Sequence, residues 1–262
     1  MSKRFLRRVI GVVFITLWVS GVAHAHMQWL RPSEFNVALN GGSVWIDVDM
    51  SVAERVFDIE RPLEAGSISI TQPDGNRTRQ DRIFTNHVRT NFELELQSAG
   101  TYKIDVLNGP IVRQRPAPKP TPVMSNAPAN RPVTKMVSRL VAYVTADAPN
   151  NKAISTTNEW LELVPLSHPA DMVAGEPIRF KLLFNGNPVL DSAVVLMPAG
   201  SRYSDKSPDH AYRTDQHGEV EIVAGLAGVY ALKADMTKAL ENDPEAEQLR
   251  AMSYLIFEAQ VN

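Results

Sequence analysis

The sequence predicts an all-β protein: two tandem antiparallel β-sandwich domains, immunoglobulin-like or prealbumin-like, following a cleaved signal peptide. Three observations predict it. Apolar and polar residues alternate with period two, as in Val44-Trp45-Ile46-Asp47-Val48-Asp49-Met50, and no segment of the first half sustains a 3.6-residue period. Turn signals bound these runs, among them Asn40-Gly41-Gly42, Pro73-Asp74-Gly75-Asn76 and Asn185-Gly186. A pattern also recurs between the halves. A glycine turn and alternating strand at Gly42 to Val48 close in Ala99-Gly100-Thr101-Tyr102, and those at Gly175 to Phe180 close in Ala227-Gly228-Val229-Tyr230. A tyrosine after a glycine turn suits an inward-facing residue at the start of a late sandwich strand.

Residues 1–25 have the three parts of a signal peptide: basic residues Lys3, Arg4, Arg7 and Arg8, an apolar run from Val9 to Val19, and the small-x-small exit Ala23-His24-Ala25. The run is too short for a mature membrane helix, and no later stretch approaches the roughly 20 apolar residues a span needs. The expectation is an exported, periplasmic product that does not span the membrane, cut after Ala25 or after Ala23. Removing residues 1–25, which hold four basic and no acidic side chains, takes the formal charge from −2 to −6. A chain that acidic lacks the basic face a nucleic-acid partner needs. Cysteine is absent, which excludes disulfides, thiolate nucleophiles and cysteine zinc sites together.

In the first sandwich, residues 26–148, strands are expected at Val44 to Met50, at Ser67 to Gln72 and Thr78 to Phe84 flanking a hairpin turn, at Asn91 to Leu96, at Gly100 to Val106 and at Lys135 to Val144. Seven prolines between Pro110 and Pro132 predict an extended loop over 109–132, whose Arg113, Arg115 and Lys119 offer a basic docking tail. In the second, residues 158–262, strands are expected at Glu159 to Leu166, Ile178 to Phe184, Ser192 to Pro198, Glu219 to Val223, Gly228 to Asp235 and Ser253 to Val261. One short helix is predicted at Glu245 to Arg250, with Asp243 at its N-cap and Pro244 at its first position.

Three stretches together resemble the periplasmic, NikM-like family of unknown-function domains associated with nickel and cobalt uptake. They are His26-Met27-Gln28-Trp29-Leu30-Arg31-Pro32; Leu161 to Leu166 with Ala174-Gly175-Glu176 and Leu183 to Val189; and Arg213 to Gly218 with Gly228-Val229-Tyr230. The resemblance implies a periplasmic metal-uptake accessory of two sandwiches, working beside a membrane metal-transport complex.

Candidate chemistry centres on the new amino terminus. Cleavage after Ala25 exposes His26, whose α-amine and imidazole form one chelate for a divalent transition metal such as nickel, cobalt or copper. Cleavage after Ala23 gives His24-Ala25-His26, in which the amine, two amides and the third-position imidazole make a square-planar set. His87, in the loop Thr85-Asn86-His87-Val88, is the expected partner of His26; Asp47 and Asp49 share one strand face and read as solvent-side carboxylates. His210 and His217 form a second candidate pair, His168 reads as a loop residue, and Met27 is a soft side chain beside the terminus. No Gly-x-Ser-x-Gly elbow, His-Glu-x-x-His or phosphate loop is present. The reading is a non-catalytic metal-binding accessory; a metal-free exported interaction module and a copper oxygenase built on His26 are its competitors.

Overall fold

The computed structural model describes residues 26–114, 132–203 and 209–262. Residues 1–25, with both cleavage sites, and Arg115 and Lys119 of the proline-rich loop lie outside them. In the first half the strands are β1 (Met27–Pro32), β2 (Asn36–Val37), β3 (Val44–Ala53), β4 (Arg61–Pro62), β5 (Ser67–Thr71), β6 (Arg77–Arg79), β7 (Phe84–Thr85), β8 (Thr90–Leu96), β9 (Gly100–Arg113) and β10 (Thr134–Ala146). In the second they are β11 (Leu161–Pro165), β12 (Pro177–Phe184), β13 (Asn187–Pro188), β14 (Ala193–Pro198), β15 (His210–Arg213), β16 (Glu219–Val223), β17 (Gly228–Ala239) and β18 (Gln248–Ala259). Among the described residues the helical content is two single 3-10 turns, Pro169–Asp171 and Ser201–Tyr203.

These strands form three layers. Sheet I runs β1-β3-β8-β7, with β4 on β3; sheet II runs β15-β14-β17-β18-β10-β9-β5-β6, with β2 on β10; sheet III runs β11-β12-β13, with β16 on β12. One apolar core fills the space between sheets I and II, where Leu30, Val48 and Phe92 meet Ile104, Leu140, Tyr254 and Ile256. Another lies between sheets II and III, where Phe180, Leu182 and Ile222 meet Val141, Leu255 and Phe257. Strands β10 and β18 therefore contribute alternate residues to both cores. That explains their near-continuous apolar sequences, since a strand buried on both faces loses the polar half of the alternation. The chain passes from β10 to β11 across residues 147–160, between the two expected domains, yet strands from both sides of that crossing share sheet II.

The all-β sandwich expectation holds, and so do most turns. Asn185 and Gly186 both take positive φ, 49° and 78°, between β12 and β13, the backbone a tight two-residue hairpin turn requires. The recurrent glycine–tyrosine pattern proves to be a matched pair of tyrosine corners. The Tyr102 hydroxyl accepts from the amides of Gln97 (3.1 Å) and Ser98 (2.9 Å) and donates to the Ser98 carbonyl (2.9 Å). The Tyr230 hydroxyl accepts from the Leu226 amide (3.3 Å) and donates to the Leu226 carbonyl (2.7 Å).

Three local expectations are overturned. The strand expected at Thr78 to Phe84 is split, because β6 ends at Arg79 on the edge of sheet II and the chain crosses to sheet I before β7 begins at Phe84. The helix at Glu245 to Arg250 is absent, because β18 already begins at Gln248 and draws that segment into sheet II. Asp243 keeps its capping role without a helix, its Oδ1 accepting from the amides of Glu245 (2.9 Å) and Ala246 (3.2 Å). The loop expected over 109–132 starts later, because β9 continues through Pro110 to Arg113, paired with β10.

The tyrosine corners yield a stability test. Tyr102→Phe leaves two amides and a carbonyl without their partner beneath a fully buried ring and should destabilise the protein by about 1–3 kcal/mol. Tyr230→Phe, which strands one amide and one carbonyl, should fall lower in that range, as read from urea unfolding midpoints.

Candidate functional site

His26 stands exposed immediately before β1, and it has no hydrogen-bond or ionic partner among the described residues. The strand beneath it is firmly seated. Trp29 and Leu30 are buried, the Trp29 indole donates to the Asp58 carbonyl (2.8 Å), and its ring meets Phe57 edge-on. His87 lies in the β7–β8 turn, also exposed. Register relates the two histidines. Met27 pairs with Ala53 on one flank of β3, while Met50 pairs with Thr90 on the other, so the turn holding His87 continues towards the same end of sheet I. Strand β4, paired with β3 at Ser51 and Val52, takes the flank that β8 leaves after Met50 and stands between β3 and the continuing turn at that end.

Asp47 and Asp49 are occupied by neighbours on the outer face of sheet I. Asn91 Nδ2 donates to Asp47 Oδ1 (2.9 Å), and Arg89 Nη1 donates to Asp49 Oδ2 (3.2 Å). Partial burial raises the Asp49 carboxyl pKa, against the pull of Arg89. His210 opens β15 and His217 sits in the turn beyond its end, with about 13 Å of extended chain from His210 to Thr214. The structure gives that turn to Asp215, whose Oδ1 accepts from the amides of His217 (2.7 Å) and Glu219 (2.9 Å), holding its pKa below the usual range. His168 is more than a loop residue. Its Nδ1 accepts from the Ala170 amide (3.1 Å), which leaves the proton on Nε2 in the neutral ring, within reach of the Asn150 carbonyl (3.1 Å) and Thr101 Oγ1 (3.2 Å). Among the described residues, no three His, Asp or Glu side chains gather in a metal-holding group.

A charged cluster lies between sheets II and III, where the strand alternation calls for apolar side chains. Asp105, Arg139 and Glu162 are each about 2% exposed, and Lys103 4%. Arg139 Nη1 donates to Asp105 Oδ2 (2.8 Å) and lies 3.8 Å from Glu162 Oε2; its Nη2 donates to the Glu159 carbonyl (3.1 Å). Glu162 Oε2 accepts from the Thr157 amide (2.9 Å), and Lys103 Nζ donates to the Ser155 carbonyl (3.1 Å). Burial pushes the Lys103 pKa down, with Asp105 and Glu162 opposing, and pushes the Tyr143 phenol up. Lys103 Nζ and the half-exposed Arg77 also lie 3.9 and 3.7 Å from Asp105 Oδ2, and the cluster is an electrostatic clasp joining β9 and β10 to β11 and the 155–159 segment. Its signal in the sequence was a charge inside each apolar run: Lys103 and Asp105 in Tyr102 to Val106, Arg139 in Val137 to Val144, and Glu162 in Leu161 to Pro165.

The profile of a domain of unknown function, DUF4198, matches residues 23–238, most of the chain. The chain belongs to the DUF4198 family. A family of unknown-function domains is what the sequence resemblance named; its nickel and cobalt association is no part of this match. Among curated proteins no sequence matches significantly. Solved structures similar to this DUF4198 chain include Escherichia coli alpha-2-macroglobulin activated by porcine elastase, at 11% identity and TM-score 0.25 over 88% of this chain and 20% of that one. The D0-D1 domain of intimin matches at 12% identity and TM-score 0.22, over 87% and 96%. Salmonella alpha-2-macroglobulin reacted with methylamine matches at 10% and 0.25, over 87% and 14%. The chain thus spans about a fifth or less of the macroglobulins, and at these TM-scores none of the three bears on its function.

The clasp predicts a specific stability pattern. Arg139→Met in the DUF4198 chain should destabilise by about 3–5 kcal/mol, because Glu162 loses its ion pair and Asp105 its charged hydrogen-bond donor while both remain buried. Urea unfolding at pH 7 measures the effect.

Proposed function

We propose that the chain is exported to the periplasm, that processing after Ala25 makes His26 the mature terminus, and that the protein is a non-catalytic accessory in uptake of a divalent transition metal such as nickel, cobalt or copper. The metal is cargo, held by the α-amine and Nδ1 of His26, with His87 as third donor, and passed to a membrane transport complex. The observation that supports this reading is the setting of His26: an exposed, unpartnered imidazole directly ahead of a well-anchored strand, at the sheet end towards which the His87 turn continues. The donor chemistry fits, since an amine and imidazole on one residue close a single chelate ring and both are borderline ligands suited to Ni(II) and Cu(II).

Mass spectrometry of the exported protein identifies the terminus, and calorimetric titration with Ni(II) and Cu(II) reads the site. Cu(II) should bind tighter than Ni(II) whatever the natural cargo. Affinity should fall as pH is lowered, because the amine and the imidazole must shed protons to bind. Leaving one additional residue ahead of His26 should abolish binding, and His87→Ala should weaken it; equal binding by the extended form rejects the amino-terminal site.

A further inference from the structure

Sheets I and II part at one side of the first core and leave an open cleft of about 540 Å³. Its position follows from two strand edges. Strand β6 is terminal in sheet II, and β7 pairs with β8 only through Phe84 opposite Asn91 and Thr85 opposite Thr90. From Phe92 to Leu96, β8 has a neighbouring strand on its β3 side alone.

The residues that face this space obey a simple rule. Every second residue from Ile70 to Phe84 lines the cleft, through the end of β5, the turn, β6 and the crossing to β7. Inward-facing positions of a sandwich are normally apolar. Here the apolar row stops at Ile70 and Leu94, both buried, and the inward positions become Gln72, Asn76, Thr78 and Gln80. Two large rings stand at the mouth: Trp45 is 60% exposed and Phe84 49%, with the Arg82 guanidinium over the Phe84 ring. Some polar groups are engaged locally. Glu95 accepts from Ser43 Oγ and Gln97 Nε2, Asp74 holds Asn76, Thr78 Oγ1 donates to the Ile70 carbonyl and Gln80 Nε2 to the Arg82 carbonyl. The side chains of Gln72 and Glu93 have no partner among the described residues, which leaves donors and acceptors free towards the cleft.

We propose that this cleft binds an uncharged oligosaccharide. Sugar hydroxyls both donate and accept hydrogen bonds, and side-chain amides are the groups that answer in both senses. The C–H face of a pyranose is apolar and flat, which suits the exposed Trp45 and Phe84 rings. Asp74, Glu93 and Glu95 outnumber the single cation Arg82, so phosphate, sulfate and nucleic-acid ligands are repelled. The volume falls in the range of about 300–1,000 Å³ usual for small-ligand sites, and the open ends admit a chain rather than a lone monosaccharide. A peptide strand added to the β8 edge is disfavoured, because its inward side chains would meet the Gln72 and Thr78 row and its outward ones Glu93 and Glu95. This site is independent of the metal reading.

Affinity electrophoresis of the full chain, with EDTA, through gels containing laminarin, hydroxyethylcellulose, dextran or soluble glycol chitin tests the proposal. At least one polysaccharide should retard the protein, and calorimetry with its tetrasaccharide should give binding that Trp45→Ala and Phe84→Ala each weaken about tenfold with the melting temperature unchanged. Gln72→Ala should weaken it as well, which nonspecific adhesion to an aromatic surface would not require. Retardation by none of the four, binding indifferent to all three substitutions, or capture of extended peptides at the β8 edge without any glycan response overturns it.

Discussion

Everything else in this molecule depends on the parallel pairing of β10 with β18. Nine residue pairs, from Thr134 opposite Gln248 to Ala142 opposite Ile256, join the last strand of the first half to the last strand of the second. The pairing makes one continuous sheet of what would otherwise be two, and it gives each sandwich a floor drawn from both ends of the chain. Strand β2 extends the same flank of β10 at Thr145 and Ala146, so the segment after the first strand is tied in as well. Parallel strands are stable only when covered on both faces. Sheets I and III supply that cover from opposite sides, which is why neither half's outer sheet packs on its own half alone.

Such a join carries a design problem that the buried clasp addresses. Sheet III meets sheet II mostly through nonspecific apolar contact, which tolerates sliding; a charge-paired Arg139 between Asp105 and Glu162 does not. A one-residue slip of β11 would turn Glu162 away and leave Arg139 and Asp105 buried beside apolar side chains. The group retains unsatisfied atoms at Asp105 Oδ1, Arg139 Nε and Glu162 Oε1, so it is an expensive means of stabilisation and a sharp means of fixing register. His168 acts on the same seam with neutral hydrogen bonds, linking the 3-10 turn after β11 to Thr101 and Asn150.

What the sequence disclosed was what local physics decides. Alternation located nearly every long strand, Asn185-Gly186 announced its own turn, and the paired glycine–tyrosine motifs marked the two corners. The misreadings arose where a local signal was correct and a long-range partner overrode its usual meaning. Asp243 does cap two amides, yet the segment it caps is claimed by nine pairs with β10 rather than by a helix. The prolines after Pro110 suggested a loop, but ladder pairing with β10 holds β9 extended as far as Arg113. The shared sheet had no local signature, because parallel pairing of strands more than a hundred residues apart leaves none. The cleft did leave one, polar residues at every second position from Gln72 to Gln80, but alternation alone cannot say which row of a strand faces inwards.

The β7–β8 hairpin shows how little regular structure is needed to present chemistry. Its ladder is two pairs long, too short to hold a shape unaided. Side chains do the holding instead. Asn86 Oδ1 accepts from the amides of Val88 (2.9 Å) and Arg89 (3.0 Å), closing the turn around His87. Ser51 Oγ reaches the Val88 carbonyl (3.1 Å), Thr90 Oγ1 donates to the Leu63 carbonyl (2.9 Å), and Arg89 pairs with Asp49 on β3. Phe84 at the cleft mouth and His87 in the turn are thus carried by one short hairpin whose position is set from the neighbouring strands. With side-chain bonds in place of ladder bonds, the tip can keep both residues exposed while its base stays buried at Thr90. A longer hairpin would have paired the β8 edge from Phe92 to Leu96 and closed the cleft, so the brevity of β7 and the openness beside it are one structural fact.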